Sequence, residues 1–376
     1  MNVLALISYK VFPAQMGGQK GIAQFYEYLS QLDNVVIVAS KNNQLSDIPF
    51  PKKYNNLFPQ GKGLLNILKL FFVVKLIRRE NIDVIIIEHS YWGWYGYLLH
   101  LLTHKPFIIH SHNIEAERFK IQHRKYWKIY VRYEKWVHQL CNHNFFKCEE
   151  DAAYALEKWS INTCKISIIR YGTDVQTPPT DTEKKAVRNQ LLQQLNLPAT
   201  TCLLLFNGTL NYAPNVEVLI EITDTIIPIL RKNKFNFCIF ICGKMLPDAW
   251  LQKFMLYPEI RYLGFVENIT AINAGVDALI LPGSMATGIK TKLVEALAQN
   301  TTVITTHSGA RGIPQNFAQT KLILVPDNDP VAFANRVLQY NHSTDNTPNS
   351  FYNEFYWGNI AQQAHTVLEN LHGTYH

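Results

Sequence analysis

Short β-branched runs alternate with helical stretches along the whole chain, and that alternation restricts it to parallel sheets covered by helices on both faces. In the first half the strand-like runs fall at 2–8, 34–40, 83–88, 106–110 and 166–169. In the second half they fall at 202–207, 235–242, 260–264, 277–281, 302–306 and 321–325. A chain of 376 residues exceeds one ordinary domain, so the pattern predicts an α/β protein with two doubly wound domains facing a central cleft. Gly172-Thr173-Asp174 leads into Thr177-Pro178-Pro179-Thr180-Asp181, the best linker on composition. The expected limits are 1–172 for the first domain, 173–350 for the second and 351–376 for a final helix.

The chain starts on the strand-like run Val3-Leu4-Ala5-Leu6-Ile7, with no cationic leader ahead of it. The longest apolar stretch, 64–77, carries Lys69 and Lys75 and is shorter than the roughly 18 residues a membrane span needs. A cytoplasmic protein is therefore the expectation. Six cysteines, at 141, 148, 164, 202, 238 and 242, show neither CxxC nor zinc-ligand spacing. Cys238 and Cys242 share a strand face and read as buried thiols. The net charge is uneven. Up to Arg170 there are 22 Lys+Arg against 13 Asp+Glu, and the remainder has 14 against 16. The cationic half should face something anionic: a membrane surface, a phosphate-bearing acceptor or nucleic acid.

Three segments carry chemistry. Met16-Gly17-Gly18-Gln19-Lys20-Gly21 follows the first strand and opens a helix, where adjacent glycines let amides approach a phosphate. It reads GGxxG rather than GxGxxG. The acid expected after the second strand of a dinucleotide fold is replaced by Ala39-Ser40-Lys41, which disfavours a nicotinamide dehydrogenase. Next, Ile108-Ile109-His110-Ser111-His112-Asn113-Ile114-Glu115 runs a strand out into polar residues. Ser111 or Asn113 is the expected helix N-cap, which leaves His112 available. The third segment, 281–298, is a strand end, a small-residue loop and a helix with Lys290 and Lys292 in its first turn. Cations are disfavoured at a helix N-terminus unless an anion binds there. Glu295, further along the helix, suits the two hydroxyls of a ribose.

Two further features read more plainly. Asp327-Asn328-Asp329 forms a DxD but precedes Pro330, so helix capping is expected rather than a metal site. The stretch 119–140 has one helical pattern, with Phe119, Tyr126, Tyr130, Tyr133, Val137 and Leu140 on its apolar face. Lys120, Arg124, Lys128, Arg132 and Lys135 cluster opposite. That side is either a solvated face or a contact for anionic lipid or a phosphate-bearing acceptor. No nucleic-acid-binding motif accompanies the charge.

Taken in order, these segments resemble the GT-B-fold glycosyltransferases, specifically the retaining family four, also called group one. The resemblance includes the glycine loop, His112-Asn113, and Arg170-Tyr171-Gly172-Thr173-Asp174. It continues through Phe206-Asn207-Gly208-Thr209-Leu210, Ile241-Cys242-Gly243, Tyr262-Leu263-Gly264-Phe265-Val266 and the segment 288–298. Phe355-Tyr356-Trp357 opens a helix like the one that crosses back onto the first, Rossmann-like domain in that fold. The resemblance implies that Glu295 is the second glutamate of an E-x7-E motif, whose first position holds Thr287. The family's arginine and lysine after the second-domain glycine are replaced by Thr209 and Pro214. Lys290 and Lys292 match cations that a subgroup carries inside the motif instead.

By the same resemblance, His112 meets the donor sugar near the reacting carbon and, with Lys290, is the expected catalytic pair. Donor binding is expected from Gly17, Gly18, Gly208, Thr209, Gly243, Phe265, Val266, Thr287, Gly288, Ile289, Lys290, Lys292 and Glu295. Arg124, Lys128 and Arg132 are expected on the acceptor or membrane side. The implied reaction is retaining hexosyl transfer from a nucleoside-diphosphate sugar to a glycan or lipid-linked acceptor, in cell-surface polysaccharide synthesis, with no cofactor, metal or nucleic acid. Peripheral contact with the inner face of the cell membrane accompanies that reading. A nucleotide-sugar epimerase of the same fold and a non-catalytic nucleotide-sugar-binding protein are the alternatives.

Overall fold

The computed structural model describes residues 1–46, 48–283, 288–340 and 345–375. It contains two parallel sheets. The first is built from β1 (Asn2–Ile7), β2 (Asn34–Ser40), β3 (Lys52–Leu57), β4 (Val84–Glu88), β5 (Phe107–Ser111), β6 (His143–Phe146) and β7 (Ile166–Ile168), in spatial order β3-β2-β1-β4-β5-β6-β7. The second is built from β8 (Cys202–Asn207), β9 (Phe237–Cys242), β10 (Ile260–Gly264), β11 (Ala278–Leu281), β12 (Thr302–Thr306) and β13 (Leu322–Val325), in order β10-β9-β8-β11-β12-β13. In each sheet the chain first winds outward from one strand, then returns to that strand's other side. The strand order therefore reverses between β1 and β4, and again between β8 and β11.

The inner strands are near-continuous apolar runs because helices cover both their faces. Leu4, Leu6, Ile85, Ile87, Phe107 and Ile109 form one core with Val73, Ile77, Tyr95, Leu99 and Val137 of the covering helices. All six second-half strands lie where the hydrophobic pattern puts them. Two first-half strands escape it. β3 (KKYNNL) is an edge strand, where lysine and asparagine discourage further pairing. β6 (HNFF) buries His143 and Asn144. The Asn144 amide is satisfied there by the His138 carbonyl and ring, so a polar pair sits inside the sheet.

The helix expected over 119–140 is two helices, Glu115–Ile121 and Trp127–Leu140. His123 adopts a left-handed φ of 53°, and the Arg124 amide bonds back to the Phe119 carbonyl at 2.9 Å. This closes the first helix as a Schellman motif. The second helix then packs against the first, and its Glu134 carboxylate accepts the amides of Glu115 and Ala116 at 2.9 and 2.8 Å. The sequence suggested Ser111 or Asn113 as the cap of the first helix, but the cap position is held by Ile114 and neither residue caps it. The cap comes from Glu134, nineteen residues away.

The chain divides into two compact units. One comprises Met1–Asp174, Thr287–Ile289 and Phe355–His376, and the other Val175–Ala286 with Lys290–Glu354. The first limit thus falls two residues beyond Gly172, and the return to the first unit begins at Phe355 rather than at 351. The helix Trp357–Tyr375 packs on the helix Gly17–Leu29. There the Trp357 indole donates to Gln24 at 3.1 Å, and His365 meets Asp33 at 2.9 Å. A Cβ on Gly172 would lie 2.6 Å from the Trp357 ring, so this seat admits only glycine. Among the described residues no helix is long and apolar enough to cross a membrane.

Candidate active site

Crevices at the carboxyl ends of parallel strands, where strand order reverses, are the usual ligand sites of such sheets. In the first unit that position lies at the ends of β1 and β4. β4 delivers Glu88 there, fully buried, and the neighbouring β5 places His110 directly beside it in register. The carboxylate is shared. His110 Nδ1 meets Glu88 Oε1 at 2.9 Å, His112 Nε2 meets Oε2 at 2.6 Å, and the Tyr26 hydroxyl donates to Oε1 at 2.6 Å. Burial works to raise the Glu88 carboxyl, but the two histidines overcome it and hold the group well below the usual carboxylate range. Burial and the adjacent His89 push His112 well below its ordinary value, so its ring is neutral. An ionised carboxylate can only accept, so His112 carries its hydrogen on Nε2 and presents Nδ1 as an acceptor.

A second carboxylate supports the first group. His89, at a left-handed φ of 64°, stacks on the His112 ring with centroids 4.4 Å apart. Its Nδ1 meets Glu115 at 3.0 Å. Glu115 also accepts from Tyr91 at 2.6 Å and pairs with Arg118 at 2.9 Å. Lys147 is buried beside this cluster, 5.6 Å over the Phe25 ring, and burial pulls its amine down to about 7. Glu88, His110 and His112 offer metal-type ligand atoms within 4.8 Å of one another. The two carboxylate oxygens already accept from imidazoles, however, and a buried lysine stands nearby, a pattern suited to holding protons.

His112 is the one candidate that sequence reasoning placed in this group. It missed Glu88, His89, His110's pairing, Glu115 and Lys147. A usable signal existed: Glu88 is a lone acid closing the apolar run Val84-Ile85-Ile86-Ile87. Gly17 and Gly18 open the helix Gly17–Leu29. A Cβ on Gly18 would meet nothing within 4 Å, whereas one on Gly21 would strike the Tyr171 ring at 2.8 Å. Packing therefore explains Gly21 and leaves Gly18 unexplained. Arg124, Lys128 and Arg132 are exposed.

In the second unit the reversal lies at the ends of β8 and β11. Gly208 directly follows β8, and Gly243 directly follows β9. A Cβ on Gly243 would fall 1.9 Å from the Gly208 carbonyl oxygen, and one on Gly208 would crowd Asn215 at 2.8 Å and Lys292 Nζ at 3.2 Å. These glycines let three elements converge. Asn215 donates to the Thr209 carbonyl at 2.9 Å and lies 3.4 Å from Lys292 Nζ, which sits 4.6 Å over the Phe206 ring. Burial first, and then Lys290, lowers the Lys292 amine to about 7 against the opposing pull of Glu295.

Lys290 and Lys292, expected to act alike, are therefore placed differently. Lys292 reaches back to the end of β8, while Lys290 holds the cap position of the helix Thr291–Ala298. Glu295 follows on that helix, half-buried. Phe265 is exposed beyond β10, with the Lys244 ammonium 3.8 Å over its ring, and Val266 beside it is half-buried. Lys244, directly after Gly243, was missed. Gly288 has a left-handed φ of 62° and Ile289 is half-buried; Thr287 lies outside the described residues. Asp329 accepts the Ala332 amide at 2.8 Å and caps the helix Pro330–Leu338, as expected for the DxD. Cys238 and Cys242 are buried in β9.

Comparison with known proteins matches residues 16–177 to Glycosyltransferase Family 4 and residues 201–342 to Glycosyl transferases group 1. No curated protein matches the chain. Among solved structures, a sucrose-phosphate synthase from Thermosynechococcus elongatus superposes with a TM-score of 0.76 at 18% identity, covering 100% of both chains. A glycosyltransferase from Rickettsia africae gives 0.74 at 14% identity over 98% of each chain. The Anabaena protein HepE in complex with UDP gives 0.71 at 14% identity, over 98% of this chain and all of its own. The two sheets are thus those of the GT-B fold.

Proposed function

Because this chain belongs to the family 4, group 1 glycosyltransferases of GT-B fold, we propose that it transfers a hexose, with retained anomeric configuration, from a nucleoside-diphosphate sugar to a hydroxyl of a glycan or lipid-linked acceptor, in the making of a cell-surface polysaccharide. One observation carries the donor half of this reading: two lysines, one of them packed over the Phe206 ring beside Asn215, stand where strand order reverses in the second unit. A diphosphate is the kind of anion that two such cations suit. Charge grows on it as the glycosidic bond breaks, so cations already in place stabilise the transition state more than the ground state. Gly208, Thr209 and Gly243 admit the nucleotide to the strand ends, Phe265 and Val266 flank it, and Glu295 accepts the ribose hydroxyls. In the first unit, Gly17 and Gly18 leave backbone amides open to the donor, and His112 meets the sugar through Nδ1. Thr287, Gly288 and Ile289 complete the donor contacts.

The acceptor side lies on the first unit, where Arg124, Lys128 and Arg132 face an anionic acceptor or lipid surface at the inner face of the membrane. HepE, which binds UDP and UDP-glucose, makes uridine conjugates the first donors to try. Incubation of the purified protein with such donors and a hydroxyl acceptor should yield glycosylated product. Release of an altered donor without any acceptor is instead the mark of an epimerase.

The same assay tests metal independence. Turnover should survive a strong chelator, because the reading uses lysines rather than a metal against the diphosphate. Loss that magnesium or manganese restores sinks the claim and returns attention to Glu88, His110 and His112, or to Asp327 and Asp329.

Lys292 gives a pH prediction. Its amine, at about 7 in the free protein, is largely neutral at pH 8, and a bound diphosphate favours its charged form. Binding must then take up protons, and affinity should weaken as pH rises from 7 toward 9. Calorimetry of UDP binding in two buffers of different ionisation enthalpy should show that uptake at pH 8, and Lys292→Met should abolish it. Proton-neutral binding by the unaltered protein removes Lys292 from the diphosphate.

A further inference from the structure

The segment Gln60–Lys69 and the helix Leu70–Arg79 that continues it expose large apolar side chains to an unusual degree. Leu64 is 76% exposed, Leu68 73% and Phe71 81%, with Leu65 and Ile67 nearly half so. This exposure is built into the structure. Asn66 is 1% exposed, and its amide clamps the chain by accepting from the Phe58 amide at 2.8 Å and donating to the Phe58 carbonyl at 3.2 Å. Gly63 is seated so closely that a Cβ would lie 2.8 Å from the Trp92 indole nitrogen. Below, Leu70, Val73, Val74, Leu76 and Ile77 fill the core. With one face spent on packing and the turn clamped, the remaining leucines and Phe71 point outward.

The charge around them is largely of one sign, although Glu80, next in sequence after Arg79, pairs with Lys52 at 2.6 Å and with Arg79 at 2.8 Å. Residues 51–79 contain seven Lys+Arg (52, 53, 62, 69, 75, 78 and 79) and no Asp or Glu. Lys62 and Lys75 are exposed beside the apolar residues. The adjacent helix Gly93–Thr103 adds exposed Leu101 and Leu102, and the next one, Trp127–Leu140, adds Ile129 and Trp136. An acidic protein partner matches the cations but not the projecting leucines. A bilayer bearing anionic headgroups matches both, taking the apolar side chains into its acyl boundary and the lysines at its headgroups.

We propose that the segment 60–71 is an insertion element that seats the first unit in the interface of an anionic phospholipid bilayer. The inference rests on and deepens the lipid contact proposed above: it needs neither donor nor acceptor, and it assigns insertion to 60–71, outside the helix that carries Lys128 and Arg132.

Sedimentation with vesicles tests it. The unaltered protein should partition onto phosphatidylcholine vesicles containing about one third phosphatidylglycerol, and far less onto phosphatidylcholine alone or at high salt. The triple substitution Leu64→Gln, Leu68→Gln, Phe71→Gln should lower partitioning at least ~10-fold. It removes no core contact, so circular dichroism and UDP binding should stay unchanged. Lys62→Gln with Lys75→Gln should remove part of the dependence on anionic lipid. Failure of the unaltered protein to sediment overturns the proposal, and so does unchanged partitioning of the triple variant. If the triple variant alters self-association in size-exclusion chromatography and leaves vesicle binding intact, the face is a protein interface and the proposal falls. Each outcome is read without a transfer assay, so a failed transferase reading is separately visible.

Discussion

Glu88→Gln should slow sugar transfer by on the order of a hundredfold while leaving nucleotide affinity near its original value. The effect comes from one hydrogen. In the unaltered protein each Glu88 oxygen accepts from an imidazole, and Oε1 also accepts from Tyr26. A glutamine keeps the shape but accepts through only one atom. With its oxygen retained by Tyr26 and His110, its amide donates toward His112 Nε2, which must then be the bare nitrogen. The hydrogen moves to Nδ1, and the nitrogen offered to the sugar changes from acceptor to donor. Replacing a buried carboxylate that sets a histidine tautomer is among the more damaging conservative changes known in catalytic sites, reaching about four orders of magnitude in serine proteases. His112→Ala should lose transfer to a similar extent, again with nucleotide binding preserved. Glu88 is a positioning residue on this account, so the nitrogen-15 shifts of His112 must report the tautomer change in Glu88→Gln. Near-normal turnover in His112→Ala reduces the whole cluster to a structural device and makes His110 the next residue to alter.

That cluster also marks the limit of what local sequence discloses. The second sheet is readable strand by strand because its members are short runs rich in apolar and β-branched residues, bounded by glycine, proline or polar residues. The helical periodicity over 119–140 is equally clear, yet the chain breaks within it. The fold-back depends on His123 tolerating a left-handed turn and on Glu134 reaching the start of the preceding helix, and neither leaves a mark on apolar spacing. Glu88 and His110 lie 22 residues apart and become partners only because β4 and β5 are neighbours in register. His112, by contrast, stands in a recognisable local motif. Buried polar networks join residues across elements, so their members are visible singly and their wiring is not. Lys290 and Lys292 show the same limit at short range, since two cations two residues apart look equivalent until the end of β8 claims one of them.

Lys290 and Glu295 share one short helix and should nevertheless fail in different ways. Lys290 stands at the helix cap, the position from which a cation best meets a diphosphate held at a helix N-terminus. The charge it faces increases as the bond to the sugar breaks, so Lys290→Ala should lower turnover on the order of a hundredfold and donor affinity much less, as when one oxyanion donor is removed. Glu295 is assigned to the ribose hydroxyls, whose hydrogen bonds are alike before and during reaction. An interaction made equally in both states contributes to binding and not to the rate of the chemical step. Hydrogen bonds to a charged group contribute about 1.5–3 kcal/mol, so Glu295→Ala should weaken UDP and donor binding by roughly 10–100-fold with turnover at saturation largely kept. Calorimetric titration of each variant with UDP, paired with initial rates across donor concentration, separates the two patterns. Equal losses of affinity in both variants point to a shared structural defect of the helix. Wild-type affinity in Glu295→Ala removes the ribose assignment, and the nucleotide must then be held by groups other than this helix.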